Sequence, residues 1–276
     1  MPLLPISVDN KLYWEGDIFV KIVNFLVYVV FLGFDVEDPH WGRRDYQSGT
    51  WTLIIPATWV WNIWTAIHTL LLSYIVYQFF PVAKNGVGWR FSAVVILNEI
   101  YTALWNRGHT VAAFIFSIVV SIAVSHTYYH VKVHHTSETL TEEVFIHWPF
   151  GLWHAWSTYL VILTGFNAFE SMELTGDEYY YLEIVFVFIS LLFLECLSAG
   201  YAFGNKDGDI AGSAAITWTL FAIYDGRWYP SFVRWSVLVF AILSLVWVGR
   251  AAYQIWQRGR RGIVLESEGE LSVSDH

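Results

Sequence analysis

The sequence predicts an all-α, polytopic transmembrane helix bundle of about eight spans. Three observations carry that prediction. Hydrophobic residues make up 56% of the 276 positions and charged residues 14%, where a soluble domain carries about 25% charged residues. Mean hydropathy is +0.46. Several uncharged stretches reach the roughly 20 residues a helix needs to cross a hydrocarbon core of about 30 Å, and none alternates as barrel strands do. Lipid offers the backbone no hydrogen-bond partner, so such stretches must be helices.

In order, the predicted spans are Ile18 to Phe34, Leu53 to Phe80, Trp89 to Trp105, Thr110 to Val131, Val144 to Phe166, Leu182 to Phe203, Ile210 to Tyr224 and Phe232 to Trp256. The seventh is short and rich in small residues, from Ala211 through Gly212, Ser213 and Ala214 to Ala215. Small residues let helices approach closely, so this piece is a tightly packed interior helix or a re-entrant segment. If it does not cross, the count is seven. With eight spans, ten Lys and Arg fall on one face and five on the other, which places both termini in the cytoplasm by the positive-inside rule. The acidic stretch Glu170 to Glu178 lacks Lys and Arg and fits the opposite face. The N-terminus has no basic region followed by an apolar core and cleavage site, so no signal peptide is expected. Residues 257–276 read as a polar, disordered cytoplasmic tail.

The net charge of -9 resides mostly in loops and tail, without the basic stripe that nucleic acid requires. Cys196 is the sole cysteine, which excludes an intrachain disulfide and a thiolate-rich metal site. The expected partners are the bilayer, a small apolar ligand and a second copy of the chain.

Sixteen tryptophans are far more than membrane rims need. Trp14, Trp41, Trp51, Trp89 and Trp148 lie near predicted rims, where interfacial indoles are common. Trp61, Trp64 and His68 stand at i, i+3 and i+7, on one helix face. Trp153, Trp156, Leu160 and Asn167 repeat that pattern in the fifth span. Two such faces make a wall for a flat apolar molecule, since indoles stack on π systems and their N–H groups seek acceptors.

Ionisable residues inside spans are costly and are functional candidates by default. Glu99, Glu195, His68, His109 and His154 qualify. Apolar neighbours favour the uncharged acid at Glu99 and Glu195, which then either clasps a neighbouring helix, through His68 or Asn167, or serves a ligand. His126, His130 and His134 recur every four residues, a spacing that can share a metal, and with His135 they resemble one histidine box of membrane di-iron oxygenases. No second box follows, so a solvated helix end is the plainer reading. The final span has no lysine for a retinal Schiff base.

The run Pro56-Ala57-Thr58-Trp59-Val60-Trp61-Asn62-Ile63-Trp64-Thr65-Ala66-Ile67-His68 resembles the second helix of the TspO/MBR family, the tryptophan-rich sensory proteins, with His68 where that pattern has a tyrosine. Leu97-Asn98 followed by Tyr101 is similar to the family's Leu-Asn-x-x-Trp, and Trp148-Pro149-Phe150-Gly151-Leu152-Trp153 with Asn167 to its Leu-Pro-Tyr-x-x-Trp and distant Asn. The resemblance covers about residues 17 to 170 and is nearest to a longer, divergent branch.

It implies a five-helix core within residues 1–170, followed by additional helices in 171–256. It also implies a pocket for porphyrins or sterol-like lipids, used in sensing or transport and built here from Trp61, Trp64, His68, Asn98, Trp153, Trp156 and Asn167, to which Glu99, beside Asn98, adds an acidic group outside the family pattern. Haem or another porphyrin is the implied ligand class, with His68 as an axial candidate. Two alternatives stay open. One is an intramembrane enzyme such as a terpene cyclase, with Glu99, Glu195 and Asp225 as proton donors and aromatic walls steadying carbocations. The other is a proton-coupled transporter using the same carboxylates.

Overall fold

A computed structural model describes residues 9–37, 52–79, 87–134, 137, 139–170, 177–204, 208–226 and 230–274. Among these residues every regular element is helical. α1 spans Asp9–Glu37, α2 Ile63–Tyr77, α3 Trp89–Asn106 and α4 Thr110–His134. α5 spans Trp148–Glu170, α6 Asp177–Phe203, α7 Ile210–Tyr224 and α8 Ser231–Ser274. Side chains after Gln257, which the sequence assigns to the tail, lie outside the described residues.

Four helical stretches are long and apolar enough to cross a membrane: Thr58–Tyr77, Thr110–His134, Tyr181–Phe203 and Ser231–Gln257. Ile18–Gly33 and Ile210–Tyr224 are shorter apolar helices. The protein is a multipass membrane bundle.

α1 packs on α2 and α3, α2 on α5, α5 on α4, and α4 on α3. The first five helices thus close a ring in the order α1, α2, α5, α4, α3. Uncharged polar clasps pin its seams. Ser92 Oγ donates to Asn24 Oδ1 at 2.6 Å, and the Ser117 and Thr164 hydroxyls share a 2.8 Å bond between α4 and α5. Such pairs suit lipid, where a lone polar group would stay unsatisfied. The other three helices attach outside the ring. α7 lies along α5, while α6 and α8 pack on α7 and on each other.

α7 is buried nearly all round, the interior-helix alternative of the two the sequence allows. Its small residues permit this. A Cβ added at Gly212 would stand 2.6 Å from the Tyr201 ring, so α6 and α7 approach as closely as they do because that position is glycine.

Two segments depart from the predicted spans. Residues 52–57 are not helical, and a 3₁₀ turn over Thr58–Asn62 leads into α2. Pro56 explains this, because proline disfavours helical backbone at the residue before it and has no N–H to donate. The fifth span begins with one helical turn, Leu140–Glu142, capped by Thr139 and Glu142 in a reciprocal capping box, and then a π turn, Glu143–His147.

Candidate functional site

The 3₁₀ turn and α2 deliver Trp61 and Trp64 toward α5 and His68 toward α1. Trp156 receives both indoles edge-to-face, Trp61 at 5.5 Å and 89° and Trp64 at 6.1 Å and 86° between ring centroids. His68 stacks on Trp64 at 5.6 Å and 22° and meets Phe31 of α1 at 4.9 Å. Tyr28 donates to the His68 carbonyl at 2.6 Å, fixing this turn of α2 against α1. Beyond Trp156 the wall continues to Tyr159 at 5.3 Å. Edge-to-face geometry places the positive ring edge against the negative face of its neighbour. One contiguous aromatic set therefore runs across α1, α2 and α5.

Of the eight predicted pocket residues, Trp61, Trp64, His68 and Trp156 are joined by these contacts. Trp153, Asn98 and Asn167 are buried in the ring helices, and Glu99 is half-buried. Among the described residues, neither amide atom of Asn98 has a hydrogen-bond partner, nor does the indole nitrogen of Trp153 or Trp156. Buried polar groups of native proteins are nearly always paired. These interior groups can therefore offer a guest hydrogen bonds that the protein itself leaves unmade.

The carboxylates are placed differently. Glu195 Oε1 accepts a 2.6 Å bond from Trp247 Nε1, so it clasps α6 to α8, with Trp247 as the partner and not His68 or Asn167. Asp225 is exposed after α7, and its Oδ2 accepts from Trp59 Nε1 at 2.8 Å. His126 and His134 are exposed, with the His130 and His134 rings 4.6 Å apart. Among the described residues no three His, Cys, Asp or Glu groups converge to hold a metal. His109 is exposed.

A second polar cluster was not singled out by sequence. Lys132 Nζ lies 3.2 Å from Asp209 Oδ2 and 3.8 Å from Glu143 Oε1, all deeply buried. Asp209 also caps α7, accepting from the Gly212 N–H at 2.9 Å. It presses on α5 at Gly151, where an added Cβ would fall 2.7 Å from its carboxylate. Alongside, His154 stacks on Tyr128 at 4.7 Å and 4°, and its Nδ1 shares a 2.5 Å hydrogen bond with the Tyr201 hydroxyl. The cluster joins α4 and α5 of the ring to α6 and α7. The sequence marked His154 alone as an ionisable residue in a span; for Asp209 the local signal was that an Asp just ahead of a small-residue helix is a typical N-cap.

No curated protein and no solved structure matches the chain. The model of one family, described as TSPO-like protein, matches residues 18–250, a stretch that takes in the ring and most of the three further helices. The chain belongs to the TSPO-like protein family.

Proposed function

We propose that the protein binds a small, flat, apolar molecule, porphyrin- or sterol-like, against the aromatic set of α1, α2 and α5, and that it serves in sensing or transport. The observation that carries this is the joining of Trp61, Trp64 and His68 to Trp156 across two helices. Indoles in edge-to-face contact present faces and edges to a planar guest at little entropic cost, because each has only two rotatable torsions. Asn98 and the indole N–H groups of Trp153 and Trp156 supply the few polar contacts that orient a ligand in an apolar site. Where the guest is haem, His68 is the candidate axial group. Both termini face the cytoplasm in this reading, on the strength of the Lys and Arg distribution.

The test is chemical analysis of the protein purified in mild detergent. A Soret band identifies a bound porphyrin, and extraction with mass spectrometry identifies a bound sterol. Protein that copurifies with neither, and takes up neither protoporphyrin nor a sterol on titration, removes the reading.

A further inference from the structure

The segment ahead of α2 is fastened by helices that lie outside the ring. α7 has 15 residues, so it is about 22 Å long, short of a hydrocarbon core of about 30 Å. Its last carbonyls, like those of any helix, need donors from outside its own ladder. Residues 52–62 supply one of these donors and are tied to α6 and α7 by further bonds. The Ala57 N–H donates to the Ala222 carbonyl at 2.7 Å. Trp218 Nε1 donates to the Val60 carbonyl at 3.1 Å, and Trp59 Nε1 to Asp225 Oδ2 at 2.8 Å. At the other end of the segment, the Leu53 N–H donates to Glu183 Oε1 of α6 at 2.9 Å. Trp59 and Trp218 add an edge-to-face contact at 4.7 Å.

The same segment enters the aromatic set through Trp61, which rests on Trp156. Ile54 and Val60 are fully buried, and the Ile54 carbonyl accepts from Tyr159 of α5 at 3.4 Å. From Thr52 to Asn62 it carries no charged side chain, so a neutral apolar molecule can pass beneath it without stripping water from an ion.

We propose that residues 52–62 are a strap closing the aromatic interior, and that α6 and α7 fasten it, with Asp225 and Glu183 as positioning residues that set how often it opens. This rests on the ligand-binding reading. Asp225 is the weakest tie, because its carboxylate is exposed and water can replace the indole N–H. Opening moves Trp61 off Trp156 and uncovers the wall, and the guest enters and leaves by the same motion.

Hydrogen–deuterium exchange on the full chain in lipid nanodiscs, without added ligand, reads the strap directly. The expected result for Asp225→Ala is exchange about fivefold faster at the amides of 53–55 and 57–62, the effect of losing one hydrogen bond, with α4 amides unchanged. Asp225→Asn keeps a carbonyl acceptor and restores the wild-type rate. Trp59→Phe breaks the bond from the other side and gives the same acceleration, which covers the case in which the Asp225→Ala variant does not accumulate. With protoporphyrin as probe, association and dissociation both quicken in Asp225→Ala while Kd stays near wild type, a kinetic pattern that general destabilisation does not produce. Unchanged strap exchange, or acceleration spread equally over all helices, overturns the strap. Failure of protoporphyrin and sterols to bind the wild-type protein overturns the binding reading instead, and leaves the exchange result to judge the strap alone.

Discussion

Trp247 and Glu195 are joined by an indole N–H to carboxylate hydrogen bond of 2.6 Å that holds α8 to α6. A carboxylic side chain in an apolar span is expensive, and here a neighbouring helix provides its donor. Glu195 thus has a packing role through its Oε1. Glu195→Gln retains an oxygen acceptor, and its thermal unfolding in detergent should fall close to wild type. Trp247→Phe removes the donor from a buried acid and should cost about 1–3 kcal/mol. A Glu195→Gln variant that folds normally but loses a measured activity would return this residue to the role of proton donor.

The Lys132–Asp209 pair is a different kind of clasp. Side-chain exposure is 10% and 1%, so both charges have left water and each depends on the other. Lys132→Met should destabilise by roughly 3–5 kcal/mol, the cost of stranding one member of a buried pair. Lys132→Met combined with Asp209→Asn should recover part of that loss, because only Glu143 is then left without its lysine partner. Equal thermal shifts for the single and double variants would show that the pair is not coupled.

Close approach at α7 makes a steric prediction. An added methyl at Gly212 meets the Tyr201 ring at 2.6–2.7 Å, and Gly212→Ala should destabilise by about 1–3 kcal/mol through overpacking. Among the described residues nothing lies within 4 Å of the same construction at Gly249, so Gly249→Ala serves as the control. It should be neutral or gain up to about 1 kcal/mol from helix propensity. Comparable melting temperatures for the two variants would contradict the packing described for α6 and α7.

Much of this architecture was legible because it is local. Hydropathy places the apolar stretches, and Trp61, Trp64 and His68 share a face by spacing alone. Even so, Trp61 sits on a 3₁₀ turn and not on α2, since Pro56 delays the helix, and it reaches Trp156 from the strap. What sequence could not show is pairing across distance. Trp59 meets Asp225 and Trp247 meets Glu195 at separations of 166 and 52 residues, and nothing near either acid in the chain names its partner. His154 stood out as an ionisable residue in a span, but its grouping with Lys132 and Asp209 was hidden for the same reason. These three come from α4, α5 and the N-cap of α7, and Lys132 at the end of a span reads only as an orientation signal.

Binding decides whether the aromatic set of α1, α2 and α5 is a receptive wall or a packed one. Protoporphyrin and a sterol should be titrated in nanodiscs into wild-type protein and into the Trp61→Leu, Trp64→Leu double variant, with melting curves confirming that both are folded. Two lost ring contacts of about 0.5–1.5 kcal/mol each predict a Kd weakened by about tenfold for whichever probe the wild type takes up. Equal affinity in a folded double variant would contradict the assignment.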